Sequence, residues 1–131
     1  ETVPRDQTIN YGIVATEEAA SGVKRVTRIV EKPKPEDAPS NLAVVGRYVL
    51  TPKIFDKLAS TASGANNEIQ LTDAIASLLT EEAVVALPFE GRRYDCGNKL
   101  GYLEAAVEYG LRHPEIGASF AAYLAALSAD S

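Results

Sequence analysis

Glu31-Lys32-Pro33 places a hydrogen-bond acceptor and a cation side by side, where a β-branched run meets a proline-rich stretch. The lysine is a compact point charge suited to a phosphate, and the glutamate suits hydroxyl groups as an acceptor. Pro33 biases Lys32 towards an extended conformation, which would fix where both side chains point. The same pair also reads as two ordinary surface charges at a solvated strand end. Tyr94-Asp95-Cys96-Gly97-Asn98-Lys99-Leu100-Gly101-Tyr102 is the second candidate. An aspartate that closes an extended segment just before a helix suits a hard cation such as Mg2+, and ligands of open α/β sheets gather at strand ends of this kind. Capping of the helix by Asp95 or Asn98 explains the pattern equally well. One carboxylate holds Mg2+ poorly, so a second donor or ligand phosphates would have to complete its shell.

Other residues point away from chemistry. Asn67-Glu68-Ile69-Gln70-Leu71-Thr72-Asp73, a third candidate, reads rather as a helix start whose acidic residues complement the macrodipole. Cys96 reads as a small packing residue, because nothing beside it would activate a thiolate. His113, next to Pro114, reads as a helix terminator facing solvent. With one His and one Cys in the chain, neither a Cys–His nor a Ser–His–Asp set is convincing. No glycine-rich phosphate loop of the Walker or dinucleotide type occurs.

The elements that must position these residues follow from the hydrophobic pattern. Tyr11 to Ala15 and Val23 to Val30 read as two strands of a hairpin, with a turn over Glu17 to Gly22. Glu31 to Asn41 holds Pro33, Pro35 and Pro39, which exclude a helix interior or a central strand and leave a long loop. Leu42 to Leu50 reads as a buried strand. Thr51-Pro52 supplies an N-cap and a first-turn proline for a short helix carrying Ile54, Phe55 and Leu58 on one face. Ser63 to Asn67 breaks the chain. Leu71, Ile75, Leu78 and Leu79 mark a second helix, Ala83 to Phe89 a strand, and Arg92 to Tyr94 a further extended piece. After the break at Asp95 to Asn98, a third helix carries Leu100, Leu103, Val107 and Leu111. An alanine-rich amphipathic helix with Ile116, Phe120, Leu124 and Leu127 ends the chain. The order predicts an α/β or α+β fold.

Composition narrows the partners. The chain has 131 residues, one domain or a piece of one, and a formal net charge of −5. That balance disfavours nucleic acid, whose backbone demands clustered Lys and Arg, but leaves room for a small phosphorylated ligand. No apolar run reaches the roughly 18 residues that a membrane helix needs, and the first residues lack the pattern of a secretory signal. A single cysteine allows no internal disulfide and fits a reducing, cytoplasmic setting.

Four segments occur together in one order: Val30-Glu31-Lys32-Pro33, Ser40-Asn41-Leu42-Ala43-Val44-Val45-Gly46-Arg47-Tyr48-Val49-Leu50, Glu68-Ile69-Gln70-Leu71-Thr72-Asp73-Ala74-Ile75 and Asp95-Cys96-Gly97-Asn98-Lys99-Leu100-Gly101-Tyr102. From about Tyr11 to Tyr123 the chain resembles the bacterial UTP–glucose-1-phosphate uridylyltransferases, also called UDP-glucose pyrophosphorylases. Glu-Lys-Pro is shared by many sugar-phosphate nucleotidyltransferases; the Asp95 to Tyr102 segment is narrower and points to glucose. The resemblance implies an α/β chain, the C-terminal portion of a Rossmann-like nucleotide-diphospho-sugar transferase fold with a mixed sheet and C-terminal helices. It implies that residues 1–131 are the sugar-phosphate-binding part of a single nucleotidyltransferase domain. By resemblance, Glu31 would accept hydrogen bonds from glucose hydroxyls, Lys32 would act catalytically by contacting the phosphate of glucose 1-phosphate, and Asp95 would be a catalytic Mg2+ ligand. Gly12 would bring backbone close to the sugar, and Val44, Val45 and Gly46 would line its pocket.

The reaction implied is uridylyl transfer, in which a phosphate oxygen of glucose 1-phosphate attacks the α-phosphorus of UTP and pyrophosphate leaves. The family's glycine-rich basic loop, expected to hold UTP, has no counterpart in these residues. The expectation is therefore a part that is inactive alone and that associates, with a copy of itself or with the nucleotide-binding portion. Two alternatives stay open: a related enzyme using another nucleotide or sugar, and a non-catalytic regulatory or assembly module of the same fold.

Overall fold

The computed structural model describes residues 1–19, 22–64 and 67–129. They form two compact units, Glu1–Phe89 and Glu90–Ser131. The tip of the first hairpin, at Ala20 and Ser21, and the centre of the break before the second helix, at Ala65 and Asn66, lie outside the described residues.

In the first unit, the β-branched runs pair as expected. Strand β1, Gly12–Glu18, runs antiparallel to β2, Lys24–Glu31, with Gly12 opposite Glu31 and Val14 opposite Ile29. The register shifts after Ala15, so that Thr27 is the extra residue of a bulge. β3, Leu42–Ala43, joins β1, and β4, Val85–Ala86, joins β2, giving the order β3-β1-β2-β4. Every pairing described is antiparallel, where the resemblance implies a mixed sheet. Helices α1, Lys53–Ser60, and α2, Leu71–Leu78, cover one face. There Val14, Val26 and Ile29 pack with Ile54, Ala74, Ile75 and Leu78. Because successive strand residues face opposite ways, Ile13 points to the other face and is buried with Val3 and Ala43. A 3-10 helix, Arg5–Asn10, lies in the segment that provides Val3.

Four expectations fail locally, in whole or in part. The run from Leu42 to Leu50 is not a buried strand: only Leu42 and Ala43 are in the sheet, Gly46 turns the chain at φ 75, and Val49 is fully exposed. A left-handed glycine breaks the extended repeat that an apolar run needs. The stretch read as a strand from Ala83 to Phe89 shrinks to Val85–Ala86. Thr51 does not cap α1; its hydroxyl donates to Glu82 Oε2 at 2.8 Å, while its carbonyl accepts the first helical amide, from Ile54. Of the apolar face read on α1, Ile54 is buried but Phe55 is 71% exposed.

The second unit is a helix pair. α3, Lys99–Arg112, ends at His113, and α4 runs Gly117–Ala129. Glu108 on α3 pairs with both Arg92 and Arg112, and Tyr94 meets Tyr109 edge-on with ring centroids 6.0 Å apart. α4 is not amphipathic: alanines and larger apolar residues fall on every side of it, and Tyr123 and Leu127 are exposed. Cys96 is exposed as well, contrary to its reading as a packing residue, because it sits in the turn ahead of α3 rather than on a buried face.

Candidate sugar-phosphate site

Residues two apart on a strand share a face. Gly12 therefore faces the helices with Val14, and Glu31 faces them with Ile29, at the end of the sheet where Gly12 and Glu31 are paired. Glu31 is half-buried there. Its Oε2 accepts a hydrogen bond of 3.0 Å from Thr72 Oγ1 in the first turn of α2, and its Oε1 lies 3.7 Å from Lys32 Nζ. Gly12 meets the requirement of close approach: a Cβ there would come within 2.8 Å of both Thr72 Cγ2 and Val44 Cγ2 and 3.2 Å of Glu31 Oε2. The Gly12 carbonyl also accepts from the Val44 amide at 2.9 Å. Gly12, Glu31, Val44 and Thr72 thus form one small cluster, with Lys32 reaching outwards, its side chain 56% exposed.

Lys32 departs from the extended conformation that Pro33 favours. Its φ is 42, in the left-handed region, which costs about 1–2 kcal/mol for a residue with a side chain. Anchors on either side impose it: the Lys32 amide donates to Tyr11 O at 2.9 Å, and Pro33 is buried. Thr8, also buried, donates to Arg5 O at 2.9 Å with Pro33 O as a longer second acceptor at 3.4 Å. Arg5 in turn donates to the carbonyls of Ala38 and Ser40, tying the proline-rich loop down. The strain lies at one of the two charged residues singled out by their types.

Val45 and Gly46 follow in the irregular segment; it is Val44 that packs on Gly12. Two residues near Glu31 were given no role by the sequence reading. Thr72 lies three positions before Ile75, on the buried face of α2, and a polar residue on an apolar stripe was the available signal. Tyr48, 38% exposed, has its phenol pKa raised above its ordinary value, first by partial burial and then by the negative charge of Glu31. No period in the sequence points to it.

Asp95 belongs to the second unit. Its Oδ1 accepts from the Gly97 amide at 3.0 Å, and its carbonyl lies where a Cβ on Gly101 would intrude. Asn98, not Asp95, caps α3, accepting from Gly101 N at 2.7 Å. Asp95 is exposed. Among the described residues, no group of three or more His, Cys, Asp or Glu is gathered. The donor set therefore fits Mg2+ in one way only, as a single carboxylate ligand of an ion that keeps its waters or takes phosphate oxygens.

Residues 1–111 match the model of the nucleotidyl transferase family. The chain belongs to that family. Among the nucleotidyl transferases it resembles, the UTP–glucose-1-phosphate uridylyltransferase of Streptococcus pneumoniae serotype 4 is 48% identical over 123 residues, which are 93% of this chain and 41% of that protein. The UTP–glucose-1-phosphate uridylyltransferase 2 of Streptococcus pyogenes serotype M3 is 46% identical over the same length. This chain thus spans about two fifths of the length of these curated relatives. Among solved structures, a UDP-glucose pyrophosphorylase complexed with UDP-glucose superposes with a TM-score of 0.79 at 48% identity, over 83% of this chain and 41% of that one. The UTP-bound enzyme of Acinetobacter baumannii gives 0.79 at 45% identity, over 94% and 42%. No helix among the described residues is long and apolar enough to cross a membrane.

Proposed function

We propose that this chain supplies the glucose-1-phosphate side of a UTP–glucose-1-phosphate uridylyltransferase, both of its units being parts of one nucleotidyltransferase domain. The observation that carries the reading is the Glu31–Lys32 pair at the end of β2: an anchored carboxylate beside an outward ammonium, above a glycine with no room for a side chain. Glu31 accepts hydrogen bonds from glucose hydroxyls, and Gly12 lets the ring approach the backbone. Val45 and Gly46 border the same pocket. Lys32 holds the phosphate of glucose 1-phosphate and offsets part of the repulsion between two anions. Holding the nucleophilic phosphate oxygen in line with the α-phosphorus of UTP is the larger contribution, since in-line phosphoryl chemistry depends chiefly on positioning.

Asp95 is the Mg2+ ligand this chain offers. When bound, the ion supplies positive charge where the phosphates crowd. UTP, the second substrate, is held by a portion of the enzyme beyond the length matched here, and the setting is the cytoplasm.

Titration of the isolated chain with glucose 1-phosphate, followed by amide NMR, tests the reading. Shifts at Gly12, Glu31 and Lys32, weakened about tenfold or more by Lys32→Ala as expected for loss of a charge-assisted contact, are the expected result. Absence of shifts at those residues at millimolar ligand counts against the sugar-phosphate reading and in favour of a non-catalytic module of the same fold.

A further inference from the structure

Thr72 occupies the side of α2 that Ile75 uses for the core, and it is only 4% exposed. A hydroxyl buried there costs stability unless it is hydrogen-bonded. It is: Oγ1 donates to Glu31 Oε2 at 3.0 Å across 41 residues of sequence. The methyl group has a separate role, since Cγ2 fills the space above Gly12 where a Cβ would otherwise sit. One side chain therefore supports both walls of the cluster. The two carboxylate oxygens of Glu31 are made unequal, Oε2 being tied to Thr72 while Oε1 lies towards Lys32.

We infer that Thr72 is the positioning residue of the Glu31 carboxylate, and that the Thr72–Glu31 hydrogen bond sets the site's preference for a sugar phosphate over phosphate alone. The inference rests on Glu31 being the group that binds the sugar. A free glutamate samples many rotamers, and its restriction on binding weakens a ligand that depends on it. Restricting it beforehand, from a helix that packs on the same sheet, removes that cost for hydroxyl ligands only. Lys32 is not held by Thr72, so binding of a bare phosphate is indifferent to the bond.

The test compares the wild-type chain with Thr72→Val, which keeps the shape and the Cγ2 methyl but replaces the donor hydroxyl with a second methyl, and Thr72→Ser, which keeps the donor and loses the methyl. Each is titrated with glucose 1-phosphate and, separately, with inorganic phosphate, with thermal midpoints recorded alongside. Wild type is expected to bind glucose 1-phosphate more tightly than phosphate. Thr72→Val is expected to lose about tenfold in glucose 1-phosphate affinity, the order of one charge-assisted hydrogen bond, with phosphate binding unchanged and Thr72→Ser, which keeps the donor, losing much less than Thr72→Val. Should valine not be tolerated in folding, Thr72→Ser against Thr72→Ala makes the same comparison. Equal losses for both ligands, or no loss for either, overturn the positioning role while leaving the sugar-phosphate reading intact. A wild-type chain with no preference for glucose 1-phosphate over phosphate overturns that reading and the inference with it.

Discussion

Glu31 and Gly12 face each other across two strands, and each depends on the other's size. Gly12→Ala would drive a methyl into Thr72, Val44 and Glu31, with two contacts at 2.8 Å. Overpacking of this kind costs about 1–3 kcal/mol. The expected outcome is a lower denaturant midpoint together with loss of glucose 1-phosphate binding; a variant as stable as wild type would show that the cluster is looser than its distances. The charge of Glu31 is also felt at Tyr48. That charge and burial both raise the Tyr48 pKa; removing the charge with Glu31→Gln must therefore lower it while the burial contribution remains. Ring chemical shifts of Tyr48 in a titration above pH 9 read this directly, and an unchanged midpoint would mean that Glu31 and Tyr48 do not sense each other. Glu31 and Lys32 were legible as residue types in an unusual setting. Thr72 and Tyr48 were not, because neither announces its partner: the one lies 41 residues away along the chain, and the other sits in a stretch whose apolar run reads as strand.

At the scale of elements, α1 and the turn that follows α2 are joined by surface charges. Lys57 pairs with Glu81, Lys53 reaches Glu81 and Glu82, and Thr51 donates to Glu82. The Glu81 carboxyl is held below its ordinary pKa first by its hydrogen bond to Lys57, and that of Glu82 first by its bond to Thr51. A depressed carboxylate stabilises the fold above its unfolded pKa, and that contribution fades as pH falls through the lower folded value. The Glu81 side chain is 45% exposed and that of Glu82 24%, so solvent screening keeps the effect small. Thermal midpoints of wild type and Lys57→Ala should differ slightly at neutral pH and converge in acid; a difference that grows in acid would contradict the ion-pair account. The cap of α3 is a cleaner case. Asn98→Ala removes the acceptor for Gly101 N and should cost about 1 kcal/mol, seen as reduced helical signal and stability without altered ligand shifts in the first unit. The two central helices and the first hairpin were legible because their apolar residues repeat at fixed spacing. β3 was misjudged, because an apolar run says what avoids water but not where a left-handed glycine will turn the chain.

For the whole molecule, the governing prediction follows from the proposal that UTP is held beyond the residues matched here. The chain spans 41% of its curated relatives. Incubated with UTP, glucose 1-phosphate and Mg2+, it should release no pyrophosphate in a coupled assay; turnover at an enzyme's usual rate would show that the chain carries its own nucleotide site. Large apolar side chains are exposed at Val49, Phe55 and Leu87 in the first unit and at Leu100, Leu103 and Tyr123 in the second. Surfaces of this kind favour association, so light scattering is expected to give a mass that rises with concentration. A constant monomer mass would remove that expectation.

What the sequence determined by itself was local and periodic. It determined the hairpin, the α2 stripe, the stop at His113, and the adjacency of Glu31 and Lys32, because strand alternation, helical repeat and covalent neighbourhood are properties of consecutive residues. Only the tertiary structure decided that Lys32 turns left-handed against its proline, that Asn98 takes the cap beside Asp95, and that Thr72 reaches Glu31. Each of these is settled by a partner or an anchor contributed by another element or by a competing side chain, and sequence spacing carries no measure of which competitor is nearer in space.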